Sequence, residues 1–148
     1  MSSNTNEITV RARQYYHQGL AFEERGQFSE AIEALQAAVR TAPENIEARI
    51  DLGRVLLKRG RAEDGLRVLD QGLARENVST VNRRTLLESA ARCSAAVGRY
   101  RESRQYLERA LELAEDQPEV LNQVAAVCCK GGQFEEGFDY FLKAASKS

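Results

Sequence analysis

The chain has 148 residues, 43% of them hydrophobic and 29% charged, the profile of one soluble domain with a useful core. With 21 basic and 22 acidic side chains the net charge is −1, so no global field draws it to nucleic acid or to an anionic membrane, and no apolar run approaches the ~18 residues that span a bilayer. Cys93, Cys128 and Cys129 are an odd set with two adjacent members, which argues against a disulfide framework, and the single His17 leaves no cluster with zinc-ligand spacing.

The opening residues 1–7 are polar and predict a disordered leader, and MSSNTNEITVRARQ lacks the hydrophobic centre of a signal peptide, so a cytoplasmic protein is expected. One domain should then run from 8 to 148. A first helix is predicted from near Ile8 to Glu24, a turn at Gly26, and a second helix after Ser29, whose hydroxyl is suited to capping it. Thr41 and Glu44 have capping-box spacing around Pro43 and mark the next boundary. A second pair of helices runs from about Ile46 to Arg75 with its turn at Gly60, and its second helix contains Gly65 and Gly72, a cost that suggests close packing. Extra residues then fall around Glu76 to Arg84. Either a helix capped by Ser79 is a turn longer than its equivalents and projects Arg83 and Arg84, or the loop is longer. Pro118 opens the last unit, which turns at Gly131 and Gly132 and ends near Ser146.

These segments are copies of one unit. Gly26, Gly60, Gly98 and Gly132 are spaced by 34, 38 and 34 residues, the mark of stacked supersecondary repeats. Five residues past each lies Ala31, Gly65, Ser103 or Gly137. Twelve past lies Ala38, Gly72, Ala110 or Ala144, with Leu35, Leu69, Leu107 or Phe141 between. Small residues at those offsets let two helices approach closely. Before each glycine the helix-periodic stripe reads Tyr15, Gln18, Gly19, Phe22; Arg49, Leu52, Gly53, Leu56; Leu87, Ala90, Ala91, Ser94; and Leu121, Val124, Ala125, Cys128.

This grammar resembles the tetratricopeptide repeat (TPR), with Tyr15, Gly19, Phe22, Ala31, Leu35, Ala38 and Pro43 of the first copy carrying most of the motif. It departs from that pattern with Gln18 where leucine is usual, Arg49 for the first aromatic, and Ser103 and Gly137 for alanine. The resemblance implies an all-α, right-handed superhelical solenoid of four helix-turn-helix units, at about 12–45, 46–79, 84–117 and 118–148. It also implies a concave groove lined by the first helix of each unit. On that face the candidate partner-binding residues are Arg13, Tyr16, His17, Leu20, Ile50, Arg54, Leu57, Lys58, Arg92 and Asn122, with Glu23, Glu24, Glu47, Asp51, Glu88, Ser89, Ala95, Ala96, Gln123, Ala126, Cys129 and Lys130 beside them. Tyr16, Leu20, Ile50 and Leu57 either contact the next repeat or line a binding surface. Arg54 and Arg92 share one offset and could grip a carboxylate together, unless Asp51, Glu88 or Glu47 already neutralises them.

No nucleophile has a histidine base, and Gly131–Gly132 lacks the surroundings of a phosphate loop, so no enzyme chemistry, cofactor or metal is expected. The expected function is a non-catalytic interaction scaffold that holds a segment of another protein. Alternatives are a chaperone for secretion or assembly subunits, or a regulatory segment of a larger enzyme. The clamp by which some TPR co-chaperones hold an acidic chaperone tail is disfavoured, because its offsets carry Tyr16, Leu20, Asp51, Thr85 and Ser89. Phe138, Phe141 and Leu142 are expected to form the stripe that packs the final helix inward, with Tyr140 pointing elsewhere. So much apolar surface on one helix, with no capping helix after it, points either to a segment of a longer protein or to self-association through the C-terminal repeat.

Overall fold

The four spaced glycines share one backbone conformation, with φ of 76° at Gly26 and Gly60, 81° at Gly98 and 84° at Gly132. A side chain at any of them would meet nothing within 4 Å, so it is the left-handed φ and not space that calls for glycine. At each turn the glycine amide bonds the carbonyl three residues back, and the following amide reaches five back: Gln27 to Phe22 at 2.9 Å, Arg61 to Leu56 at 2.8 Å, Arg99 to Ser94 at 2.9 Å and Gln133 to Cys128 at 2.7 Å. These are Schellman closures, which satisfy the last carbonyls of the first helix. The same four residues accept the first helical bond of the next helix, from Ala31, Gly65, Ser103 and Gly137, at 3.0 Å each.

The resulting elements, in a computed structural model that describes residues 2–113 and 117–147, are α1 (Ser2–Glu24), α2 (Phe28–Thr41), α3 (Ile46–Lys58), α4 (Ala62–Leu73), α5 (Thr80–Ala96), α6 (Tyr100–Leu113), α7 (Pro118–Lys130) and α8 (Phe134–Ser146). The described residues contain no strand. The helices group into two compact units, Met1–Val78 and Ser79–Ser148.

In the first unit α1 packs on α2, α2 on α3 and α3 on α4. Its core is Ile32, Leu35, Leu52, Val55 and Leu56, with Tyr16, Phe28, Val39 and Val68 against it. Gly19 and Gly53 are required by proximity, since a Cβ there would lie 2.7 Å from Leu35 Cγ and 2.8 Å from Leu69 Cγ. Arg49 stands where the family has an aromatic, and it is buried. Its guanidinium donates to the Pro43 carbonyl and to Gln71 Oε1, both at 3.1 Å, tying the inter-repeat turn to α4. The segment 74–79 that leaves α4 holds Asn77 at φ 61°, a left-handed residue that asparagine tolerates.

In the second unit α5 packs on α6, α6 on α7 and α7 on α8. Leu87, Ala90, Ala91, Ser94, Leu121, Val124, Ala125 and Cys128 are all buried, as the stripe required. Ser103, in place of the family's alanine, is fully buried and donates its hydroxyl to the Ala91 carbonyl at 2.7 Å, so the substitution adds an α5–α6 cross-link.

Several local expectations are corrected. The leader is helical from Ser2, because a helix already nucleated by packing gains one backbone bond for each residue added; Met1 lies outside the described residues. Ser29 does not cap α2, which starts at Phe28 directly after the turn, so Ser29 lies inside the first turn. The Thr41–Glu44 capping box is replaced by Asn45, whose side chain accepts from the Ala48 amide at 3.2 Å, while Thr41 donates to the Ala37 carbonyl at 2.7 Å. Of the two alternatives at the 38-residue interval, the longer helix is the one formed: Ser79 Oγ accepts from the Asn82 amide at 3.1 Å and α5 has 17 residues. Arg84 is not projected freely but donates to Gln117 Oε1 at 2.7 Å. The third repeat's last residues, 114–116, lie outside the described residues.

The final helix reverses the expected orientation. Gly137 and Ala144 are its buried residues and Tyr140 is half-buried under the Arg104 guanidinium, 5.9 Å from the ring centre. Phe138, Phe141 and Leu142 are 61%, 42% and 55% exposed. The small residues decide this, because only Gly137 allows α8 to approach the Ala125 carbonyl and the Cys129 sulfur on α7.

Candidate functional site

In the first unit the groove residues come from α1 and α3, whose inner faces are brought together by the packing of Gly19 and Gly53 on α2 and α4. Tyr16, Leu20, Ile50, Arg54 and Leu57 are half-buried, and Arg13, His17 and Lys58 are exposed. A continuous polar chain crosses the two helices. Tyr16 donates its hydroxyl to Asp51 Oδ2 at 2.6 Å, Arg54 donates to Asp51 Oδ1 at 3.1 Å and to both Glu23 oxygens, and Lys58 lies 3.5 Å from Glu23.

Its electrostatics are self-contained. The bond from Arg54 holds the Glu23 carboxyl below the usual carboxylate range, and the same bond raises the Arg54 guanidinium. Burial, then the hydrogen bond to Asp51, pushes the Tyr16 phenol well up. Tyr16 therefore serves as packing between repeats, and Arg54 is already committed to two acids of its own unit. What stays open here is a recess of about 360 Å³ beside Arg13, Tyr16 and His17, closed by Asn45 and Glu47. The His17 ring lies tilted against Tyr16 at 5.6 Å.

The second unit differs. Between α5 and α7 lies a recess of about 200 Å³ whose floor is Ala91, Ser103, Leu107 and Val127 and whose walls are Ala95 and Ala126. Arg92, Gln123 and Lys130 stand at its margin. Arg92 and Lys130 are exposed, and among the described residues neither has an ion-pair partner. Asn122 is exposed and does not line this recess; Gln123, one residue on, does. The floor residues Leu107 and Ser103 belong to α6, a contribution invisible from the first-helix face alone. Arg54 and Arg92, paired by offset, fall in different units and differ in state, one bound and one open.

Four helical hairpins with repeating Schellman turns, small residues at the helix crossings and an open face on the first helices define a helical-repeat interaction fold. The chain belongs to the tetratricopeptide repeat family, whose models match residues 23–83 and 87–117. Comparison with curated protein sequences gives no match. Among solved structures the chain is similar to MamA 41-end from Desulfovibrio magneticus RS-1, at 15% identity and TM-score 0.78 over 91% of this chain and 74% of that one. It is likewise similar to PilF of Pseudomonas aeruginosa, at 18% identity and TM-score 0.78 over 93% of this chain and 61% of that one. PilW, described as a widely conserved type IV pilus biogenesis factor, has 21% identity and TM-score 0.77 over 91% of this chain and 61% of PilW. At these identities the likeness is one of fold. Among the described residues no helix is long and apolar enough to cross a membrane.

Proposed function

We propose that the chain is a non-catalytic protein-interaction scaffold, and that the recess between α5 and α7 holds an extended partner segment with small apolar side chains and an acidic group. The observation that carries this reading is the contrast between the two grooves. Arg54 and Lys58 are occupied by Glu23, whereas Arg92 and Lys130 flank an alanine-walled recess with no internal counter-charge among the described residues. A small recess selects small side chains by sterics, and the two cations select a carboxylate by charge. Leu20, Ile50 and Leu57 offer a second, apolar contact line in the first unit. The family's interaction role, and the pilus biogenesis factor among the structural relatives, support the neighbouring reading of an assembly chaperone. Three free cysteines, two of them buried, favour a reducing, cytoplasmic setting.

Binding of an array of short labelled peptides tests the proposal. Acidic peptides rich in alanine and valine should be captured, and Arg92→Glu with Lys130→Glu should weaken capture by about tenfold or more, with Arg54→Glu much less effective. Capture indifferent to the α5 and α7 changes would overturn it.

A further inference from the structure

We propose that the outward face of α8 is a self-association surface, on which a second copy of this chain docks its own α8 antiparallel. Phe134, Phe138 and Phe141 are 67%, 61% and 42% exposed, and Leu142 beside them is 55% exposed. With Ala145 they follow the spacing 4, 3, 4 along the helix, the seam of a two-helix coiled pair. The adjoining side of α8 is already used, since Gly137 is seated on α7 and Ala144 is buried. Among the described residues nothing covers the seam.

Two features select a second copy as the occupant. The seam is complementary to itself: a two-fold axis across α8 near Asp139 and Tyr140 sets Phe138 against the second copy's Phe141 and the Phe134 ring over the small Ala145. Large faces small at both ends, and two rings meet in the middle. The area also fits. At roughly 200 Å² per aromatic side chain, these exposures leave about 400 Å² of apolar surface per protomer. Two such faces and their rims approach about 1,000 Å², the lower limit for a specific interface, so the dimer is reversible.

Packing decides the orientation. An antiparallel pair sets each Phe134 over the small Ala145, whereas a parallel pair in register sets Phe134 on Phe134 and Ala145 on Ala145, crowding one end and leaving the other unfilled.

Sedimentation of the chain over a range from micromolar to near-millimolar concentration tests the proposal. A monomer–dimer equilibrium is expected, weakened by about tenfold or more by Phe138→Glu or Phe141→Lys, with the helical circular dichroism of each variant unchanged. Because position 138 faces 141 of the second copy, mixing Phe138→Glu with Phe141→Lys should restore association. Mixing Phe138→Glu with Phe138→Lys should restore less. A chain that stays monomeric throughout, or a dimer indifferent to Phe138→Glu, overturns the proposal. Equal recovery in the two mixtures overturns the antiparallel register. The seam is separate from the α5–α7 recess, so peptide capture and dimerisation fail or succeed independently.

Discussion

Arg54 on α3 holds Glu23 on α1 through both of its terminal nitrogens, and the Glu23 side chain is only 13% exposed. The pair staples the first helices of two consecutive repeats on the groove side. Arg54→Ala should destabilise the chain by about 1 kcal/mol, a bidentate charge-assisted contact discounted for the solvent that reaches the arginine. Because the Glu23 carboxyl is held below its ordinary 4.5, its contribution is present above that pH and is lost as pH falls. Urea denaturation at neutral pH and near pH 3.5 should therefore show a smaller acid loss in Glu23→Gln than in the parent. Equal losses would mean the pair contributes nothing.

Gly137 sits where a Cβ would be 2.7 Å from Cys129 Sγ and 3.0 Å from the Ala125 carbonyl. Helix propensity alone favours alanine by about 1 kcal/mol, but the backbone oxygen cannot rotate away. Gly137→Ala is expected to lower stability by about 1–2 kcal/mol, the opposite sign from propensity. A raised melting temperature would show that α7 and α8 have room to separate.

Ser103→Ala removes one hydroxyl from a buried crossing. The Ala91 carbonyl remains inside α5, where its helical bond persists, so the loss should stay within about 1 kcal/mol. Ser103→Leu, by contrast, drives a branched side chain between α5 and α6 and should cost about 3 kcal/mol. Chemical denaturation that ranks the two variants equally would contradict the crossing geometry.

Cys93 is 1% exposed, and burial pushes its thiol up to about 11. In the folded chain at pH 8 it should resist thiol reagents, while half-buried Cys129 reacts first. The folded thiol holds its proton above the ordinary 9, so this contribution is full below pH 9 and declines as pH rises toward 11. Cys93→Ala should flatten that decline. Labelling of Cys93 ahead of Cys129, read by mass spectrometry of peptides, would place the side chain on the wrong face.

The helical hairpins were legible because their determinants are local. A left-handed glycine, a Schellman closure and a small residue five positions later lie within a dozen residues of each other, and the spacing of four such sets announces the repeat. Helix starts were less legible. Ser29 looks like a cap by residue type, but the cap falls where the turn releases the chain, at Gln27. The candidate groove face was legible as a face, since 100° per residue places Arg54 and Arg92 alike.

Which of those two cations is open was not legible. Glu23 is 31 residues from Arg54, and only the packing of α1 beside α3 brings the carboxylate within bonding distance. The α5–α7 recess depends in the same way on Ser103 and Leu107 rising from α6 beneath it. Sequence alone determined the family, the four hairpins and the buried small residues, because periodicity and backbone conformation are properties of short segments. The tertiary structure decided which charges are spent on each other and which face of α8 looks outward. Those outcomes rest on distances between helices that no single segment contains.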